Sequence, residues 1–294
     1  MTTIAIPNDD IFSRGPKASV KTERDPIVEA IFSGMTSTNT LRRKRMYGAA
    51  AGKCARHSYL MTKSDGIDTF GPSGMMYTAI GTAVHNAIST ALFNAGLLMF
   101  KEYRLSPPTW LALSGYVDDI IALDGQPAIL EIKTTGNVSK ATIDFEHAMQ
   151  ATTYALITGI DRAFVLYVDR NVGMPLPKMR SLQVDTSPEA LRAVATQLAN
   201  GQVGMNRDRL PSIPLNLRPS LCRYCPFHSN CWDDEPFTFP VGEALGGPDD
   251  LHDVEWMVAD LIDPKQRAWR LERTIEFIAK FGEKRPIPEL IESV

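Results

Sequence analysis

Apolar and polar positions alternate along the middle of the chain in a way that predicts a β-hairpin. Val117, Ile120, Ile121 and Leu123 mark a first strand, and Ile129, Leu130 and Ile132 a second, with Asp124-Gly125 as the turn between them. Residues 102–105 and 110–123 read as the strands leading into it. Upstream, Ile80, Val84, Ile88 and Leu92 recur at helical spacing and predict a helix over 75–99. Downstream, Ser139 is a suitable N-cap for a helix to about Thr158, on which Ile143, His147, Gln150, Tyr154 and Ile157 follow at steps of three and four. Gln150 and Tyr154 then share one face. Residues 163–168 predict a buried strand, 182–184 an edge strand, and Ser187-Pro188 the start of a helix to about Ala199.

Before this series, residues 1–25 are polar and without periodicity and predict a flexible arm, and 26–32 a short helix. After it, residues 201–220 are Pro-rich and read as loop. Two C-terminal helices follow, one striped by Leu251, Val254, Val258 and Leu261, the other by Ala268, Leu271, Ile275 and Ile278, with Gly282 as a stop. This order predicts an α/β fold with one central mixed sheet flanked by helices. The expected organisation is an arm (1–25), a core domain (26–236) and a C-terminal helical extension (237–294). The extension is expected to pack on the core, with docking of a protein partner as the alternative.

Composition narrows the class. The chain has 294 residues, 44% hydrophobic and 22% charged, with a formal net charge of −3. It has no global basic field, which argues against a passive nucleic-acid-coating protein but not against an enzyme with a local basic channel. Arg42-Arg43-Lys44-Arg45 is such a local cationic run, read either as a solvated helix face or as a phosphate-contacting patch. No apolar run reaches the length of a membrane span, and the first residues lack the pattern of a secretory signal. The expectation is a cytoplasmic protein without a membrane partner.

The hairpin carries charges where a buried strand would be apolar. Asp118 lies in the first strand, and Glu131 and Lys133, two apart and so on one face, in the second. Burying three charges is costly unless they pair or hold a metal. Oxygen donors suit magnesium or manganese, which can activate a water. The lysine can orient or deprotonate that water. The alternative is a surface hairpin with solvated charges. His85, beside its helix's apolar stripe, reads by itself as a packed core residue.

The four cysteines are Cys54, far upstream, and the compact set Cys222-x2-Cys225-x5-Cys231. In a cytosolic chain of this size disulfides are not expected. Four thiolates fit a [4Fe–4S] cluster stapling two distant segments together. Zinc is the rival, since Cys222, Cys225, His228 and Cys231 could form a local site and leave Cys54 an ordinary thiol.

Several pieces in order carry a resemblance. They are Cys54-Ala55-Arg56-His57-Ser58-Tyr59, Gly81-Thr82-Ala83-Val84-His85, Gly115-Tyr116-Val117-Asp118, Glu131-Ile132-Lys133, Gln150-Ala151-Thr152-Thr153-Tyr154 and the three late cysteines. From Cys54 to Trp232 the chain resembles the PD-(D/E)xK nuclease superfamily, and within it the RecB-type nucleases with four cysteines, which include CRISPR-associated and AddAB-type members. The resemblance implies a restriction-endonuclease-like core and a metal site of His85, Asp118, Glu131 and the Ile132 carbonyl. It also implies Lys133 as catalytic lysine, Gln150 and Tyr154 positioning DNA or that lysine, and a structural [4Fe–4S] cluster on Cys54, Cys222, Cys225 and Cys231. Asp118 is chosen over Asp119 because it stands three after Gly115, which turns Asp119 to the other face. Ala55 stands where the family often has proline, and Gly52-Lys53 lacks the glycine spacing of a helicase phosphate loop, so a stand-alone nuclease is implied.

The implied activity is metal-dependent DNA exonuclease cleavage of phosphodiester bonds, preferring single-stranded ends. Recombination, repair or CRISPR-type DNA processing is the implied setting, with a phage source among the options. The alternative is a non-cleaving DNA-binding or adaptor subunit on the same fold.

Overall fold

A computed structural model of the chain describes residues 45–48, 54–64, 72–170, 178–211, 225, 227, 231 and 244–282. The predicted arm and helix at 26–32, Arg42, Arg43, Lys44, Cys222 and His228 lie outside the described residues. In chain order the elements are β1 (Met46–Tyr47), α1 (Ala55–Lys63), α2 (Pro72–Asn94), β2 (Leu98–Arg104), β3 (Leu113–Ser114), β4 (Tyr116–Leu123), β5 (Gln126–Thr135), α3 (Phe145–Thr158), β6 (Ala163–Asp169), β7 (Met179–Gln183), α4 (Pro188–Arg207), α5 (Pro248–Ile262) and α6 (Pro264–Phe281).

The hairpin forms the centre of a five-stranded mixed sheet, ordered β2-β4-β5-β6-β7. Only β5 and β6 run parallel, joined through α3, while the other neighbours are antiparallel. At the hairpin turn Asp124 and Gly125 both have positive φ, 54° and 70°. That is the backbone whose twist matches the two strands, and Asp-Gly adopts it readily.

The sheet is covered on both faces. Ala128, Leu130 and Ile132 of β5 pack with Val168 under Val84, Ile88 and Leu92 of α2. On the opposite face Ile129, Val117 and Ile120 join a larger core with Ala151, Tyr154 and Ala155 of α3 and Leu191, Val194 and Leu198 of α4. Each buried Val, Leu or Ile side chain among these contributes about 1.5–3 kcal/mol by leaving water. Val117 and Ile120 enter the same core although three apart, so strict alternation breaks between them, at Asp118-Asp119.

Several boundaries differ from expectation. The helix expected from Ser139 starts at Phe145, because the Asp144 carboxylate accepts the Glu146 N–H at 2.8 Å and caps it there. Ser139 sits in a separate 3-10 turn. α4 runs on to Arg207 through residues read as loop. Its glycines serve close approach: a Cβ on Gly201 would meet Met46 Sδ at 2.7 Å, and one on Gly204 the Arg209 carbonyl at 2.8 Å.

α5 and α6 pack on the core, contributing Met257, Val258, Leu261 and Ile278 to the larger cluster. The predicted α5 stripe faces the core at Val254, Val258 and Leu261, and the α6 stripe at Leu271 and Ile278. Leu251 and Ile275 are exposed, whereas α6 buries Arg270, Thr274 and Ile278. α3 ends on Gly159 (φ 78°), where any Cβ would strike the Arg267 carbonyl of α6. Among the described residues no helix is long and apolar enough to cross a membrane.

Candidate active site

The charged residues of the hairpin converge at its open end. Strand pairing between β4 and β5 is regular from Leu123–Gln126 to Asp119–Leu130. Beyond it the Asp118 side chain replaces a backbone acceptor, Oδ2 taking the Ile132 N–H at 2.8 Å. Glu131 and Lys133 leave the same face of β5 and form an ion pair, Nζ donating to Oε1. Glu131 is wholly buried, and its Oε2 has no hydrogen-bond partner. Burial, reinforced by the Asp118 charge and countered by Lys133, pushes its pKa up to about 8. Burial by itself would lower the Lys133 pKa, but the Glu131 and Asp118 carboxylates outweigh it and hold the ammonium above its ordinary value.

α2 supplies the next layer. His85 Nε2 donates to the Ile132 carbonyl at 2.8 Å, and Nδ1 lies 3.6 Å from Asp118 Oδ2. Four residues on, Ser89 Oγ reaches both carboxylate oxygens of Asp119 at 2.9 and 3.0 Å. Asp119 is fully buried and its pKa is raised to about 6, chiefly by desolvation and against the Ser89 hydrogen bond. α3 supplies the other side. Gln150 Nε2 donates to Tyr154 Oη at 2.9 Å, and burial together with the nearby Glu131 charge raises the Tyr154 pKa well above the ordinary phenol value.

Thus His85, Asp118, Glu131, Ile132, Lys133, Gln150 and Tyr154 gather around one end of β5. Among the described residues no three His, Cys, Asp or Glu side chains stand close enough together to hold a metal as they are. The reason is visible in the bonds: His85 pairs with the Ile132 carbonyl and Glu131 with Lys133. The donor set nevertheless suits a hard cation. A buried carboxylate oxygen lacks a partner, a second carboxylate sits beside it, and a carbonyl and an imidazole complete the group.

Other predicted residues fall as follows. Cys54 is the N-cap of α1, its Sγ accepting the His57 N–H at 3.5 Å. Cys225 and Cys231 pack against the cluster of Tyr59 and Leu60 on α1 with Phe227. Phe227 meets the His57 ring edge-on at 5.7 Å, so the late segment is seated on the helix that Cys54 opens. Arg45, just before β1, is exposed.

Three neighbours escaped the sequence reading. Ser89 could have been found from its position four after His85. Tyr47 lies near enough to Lys133 to act on it electrostatically, and belongs to a two-residue strand too short to predict. Tyr167 is the β6 partner of Lys133, and its Oη lies 2.9 Å from His147 Nδ1.

Residues 89–232 match the PD-(D/E)XK nuclease superfamily. The match takes in Asp118, Glu131, Lys133, Gln150, Tyr154 and the late cysteines, and begins after Cys54 and His85. Among solved structures, SSO0001 is similar at 16% identity and a TM-score of 0.42, covering 71% of this chain and 98% of its own. An alkaline exonuclease from Laribacter hongkongensis is similar at 12% identity and a TM-score of 0.42, covering 61% of this chain and 95% of its own. The complex of that exonuclease with dAMP aligns at 15% identity and a TM-score of 0.36, with the same coverage. No curated protein sequence matches. The family match thus covers just under half of the chain and contains the hairpin residues Asp118, Glu131 and Lys133.

Proposed function

We propose that this nuclease domain is a metal-dependent DNA exonuclease that hydrolyses phosphodiester bonds at single-stranded ends. The observation that carries the reading is the buried, partnerless Oε2 of Glu131 beside Asp118 and the Lys133 ammonium. Lys133 takes one oxygen of the buried carboxylate, and the neighbouring Asp118 carboxylate raises the Glu131 pKa further.

Nucleases of this superfamily use Mg2+ or Mn2+. His85, Asp118, Glu131 and the Ile132 carbonyl would hold the ion, which supplies Lewis-acid activation of water and charge neutralisation on the phosphate. Lys133 stays protonated, because its pKa is raised. Of its two expected roles, orienting the attacking water and stabilising the negative charge on phosphate oxygen suits a charged ammonium. Tyr154, kept neutral by burial and held by Gln150, stands within electrostatic reach of Glu131. Asp118 anchors the Ile132 backbone, which fixes the carbonyl that Glu131 and Lys133 flank.

The cysteines are proposed, on the resemblance, to hold a structural [4Fe–4S] staple through Cys54, Cys222, Cys225 and Cys231, with zinc on Cys222, Cys225, His228 and Cys231 as the rival. Among the described residues Cys54, Cys225 and Cys231 do not stand together as a metal-holding group. Recombination, repair or CRISPR-type DNA processing is the setting this activity suits.

The test is cleavage of end-labelled single-stranded and duplex DNA with manganese, by anaerobically purified wild type beside Lys133→Ala. Loss of cleavage by at least about 100-fold in the variant is expected. Equal cleavage by both would overturn the assignment. No cleavage by either, with DNA still bound, would favour a non-cleaving adaptor. Iron, sulfide and zinc analysis of the same preparation decides the cysteine site.

A further inference from the structure

A cavity of about 400 Å3 opens between β2 and α6, and no side chain of the hairpin site lines it. Trp269, Arg273, Phe277 and Phe281 follow one another every four residues on the α6 face that borders it. Phe277 continues into a ladder of rings, 5.5 Å from Phe100, 5.6 Å from Tyr103 and 4.8 Å from Phe281. Arg273 lies over the Trp269 ring at 5.6 Å and Lys280 over Phe281 at 5.0 Å. Trp269 is 53% and Phe281 56% exposed. A row of large rings left in water and edged by cations calls for an aromatic, anionic occupant.

Arg270 is an independent observation. It lines the cavity, is only 4% exposed, and its Nε has no hydrogen-bond partner. Nη2 donates to the Leu261 carbonyl, while Asp260 and Asp263 act on it only as nearby charges. Burial lowers its pKa to about 10, which leaves it a cation at neutral pH. A guanidinium buried without a bonded carboxylate is costly unless an anion reaches it. Glu276, the carboxylate in the lining, is exposed and pairs with Arg273 at 3.0 Å.

We infer that this cleft takes one nucleotide of a single-stranded nucleic acid, its base stacked on Trp269 and the Phe277–Phe281 pair and its phosphate on Arg270 and Arg273. The size suits one nucleotide, since small-ligand sites run from about 300 Å3 upward. Stacking on exposed rings tolerates any base, so the site would hold strands without reading sequence. The inference rests on the nuclease reading only for the source of the strand.

The test uses the full chain in chelator, where no cleavage can occur, with a fluorescein-labelled oligothymidine followed by anisotropy. Trp269→Ala and Arg273→Ala are each expected to weaken binding about 5- to 30-fold, and Arg273→Ala to flatten the salt dependence. Unchanged affinity in both variants would overturn the inference. Binding of thymidine monophosphate with the same Trp269 dependence, and none of the oligomer, would make the cleft a free-nucleotide site and also overturn it. A fall of several degrees in the Trp269→Ala melting temperature at unchanged affinity would mean that the ring serves packing and would overturn the inference too. A chain that binds through Trp269 but never cuts would keep this cleft and lose the nuclease reading. A chain that cuts normally, with binding indifferent to Trp269, would do the reverse.

Discussion

Asp118 and Asp119 are adjacent in sequence and opposite in circumstance. Asp119 is fully buried with its carboxylate astride the Ser89 hydroxyl, which both oxygens share as donor, on the face covered by α2. Asp118 is partly exposed, holds one backbone N–H, and stands beside a Glu131 whose Oε2 has nothing to bind. The first carboxylate is satisfied by the protein and the second pair is not. Polar burial without closure of every valence is costly, so a pair left open marks where a ligand completes the structure.

The sharpest way to break this contrast is to neutralise each aspartate in turn. Asp118→Asn should lower the rate of manganese-dependent DNA cleavage by at least about 100-fold, whereas Asp119→Asn should leave it within about threefold. Equal losses would show that both faces belong to one site.

A smaller effect is expected from pH. The Glu131 pKa in the folded chain is raised from 4.5 to about 8, so between those values the folded state binds a proton that the unfolded state releases. Stability of the metal-free protein should therefore fall as pH rises from 5 to 8, by on the order of 3 kcal/mol. Added manganese should recover the loss at pH 8, and Glu131→Gln should lack the slope. Thermal denaturation in chelator at the two pH values checks all three. A flat profile would mean that Glu131 is already satisfied.

Smallest is the cost on the closed side. Ser89→Ala removes the one hydroxyl donor that the two Asp119 oxygens share and should destabilise the fold by about 1–3 kcal/mol, without changing cleavage measured well below the melting temperature. Loss of cleavage in the folded variant would instead tie Asp119 to the site.

Much of this arrangement was legible in the chain. Turn chemistry at Asp124-Gly125 and the apolar run of β5 mark the hairpin, and two-residue spacing puts Glu131 and Lys133 on one face. Four-residue spacing joins Gln150 to Tyr154. The start of α3 was misplaced because Ser139 and Asp144 are both competent caps, and local sequence does not decide between them. The glycines of α4 were read as loop residues because close packing against Met46 and Arg209 cannot be seen along one strand of sequence. The buried face of α6 was read only in part, at Leu271 and Ile278, because Arg270 and Thr274 are polar.

Sequence by itself determined the mixed α/β order, the hairpin, and the identity and facing of the charged residues on it, since these follow from periodicity and turn geometry acting over a few residues. Tertiary structure alone decided that His85 meets the Ile132 carbonyl, that Ser89 closes Asp119, and that Glu131 is buried deeply enough for its pKa to rise to about 8. It also decided that Arg270 lies buried among the rings of α6 and β2. Desolvation and pairing depend on what distant segments bring to a site, and no local pattern along the chain encodes that.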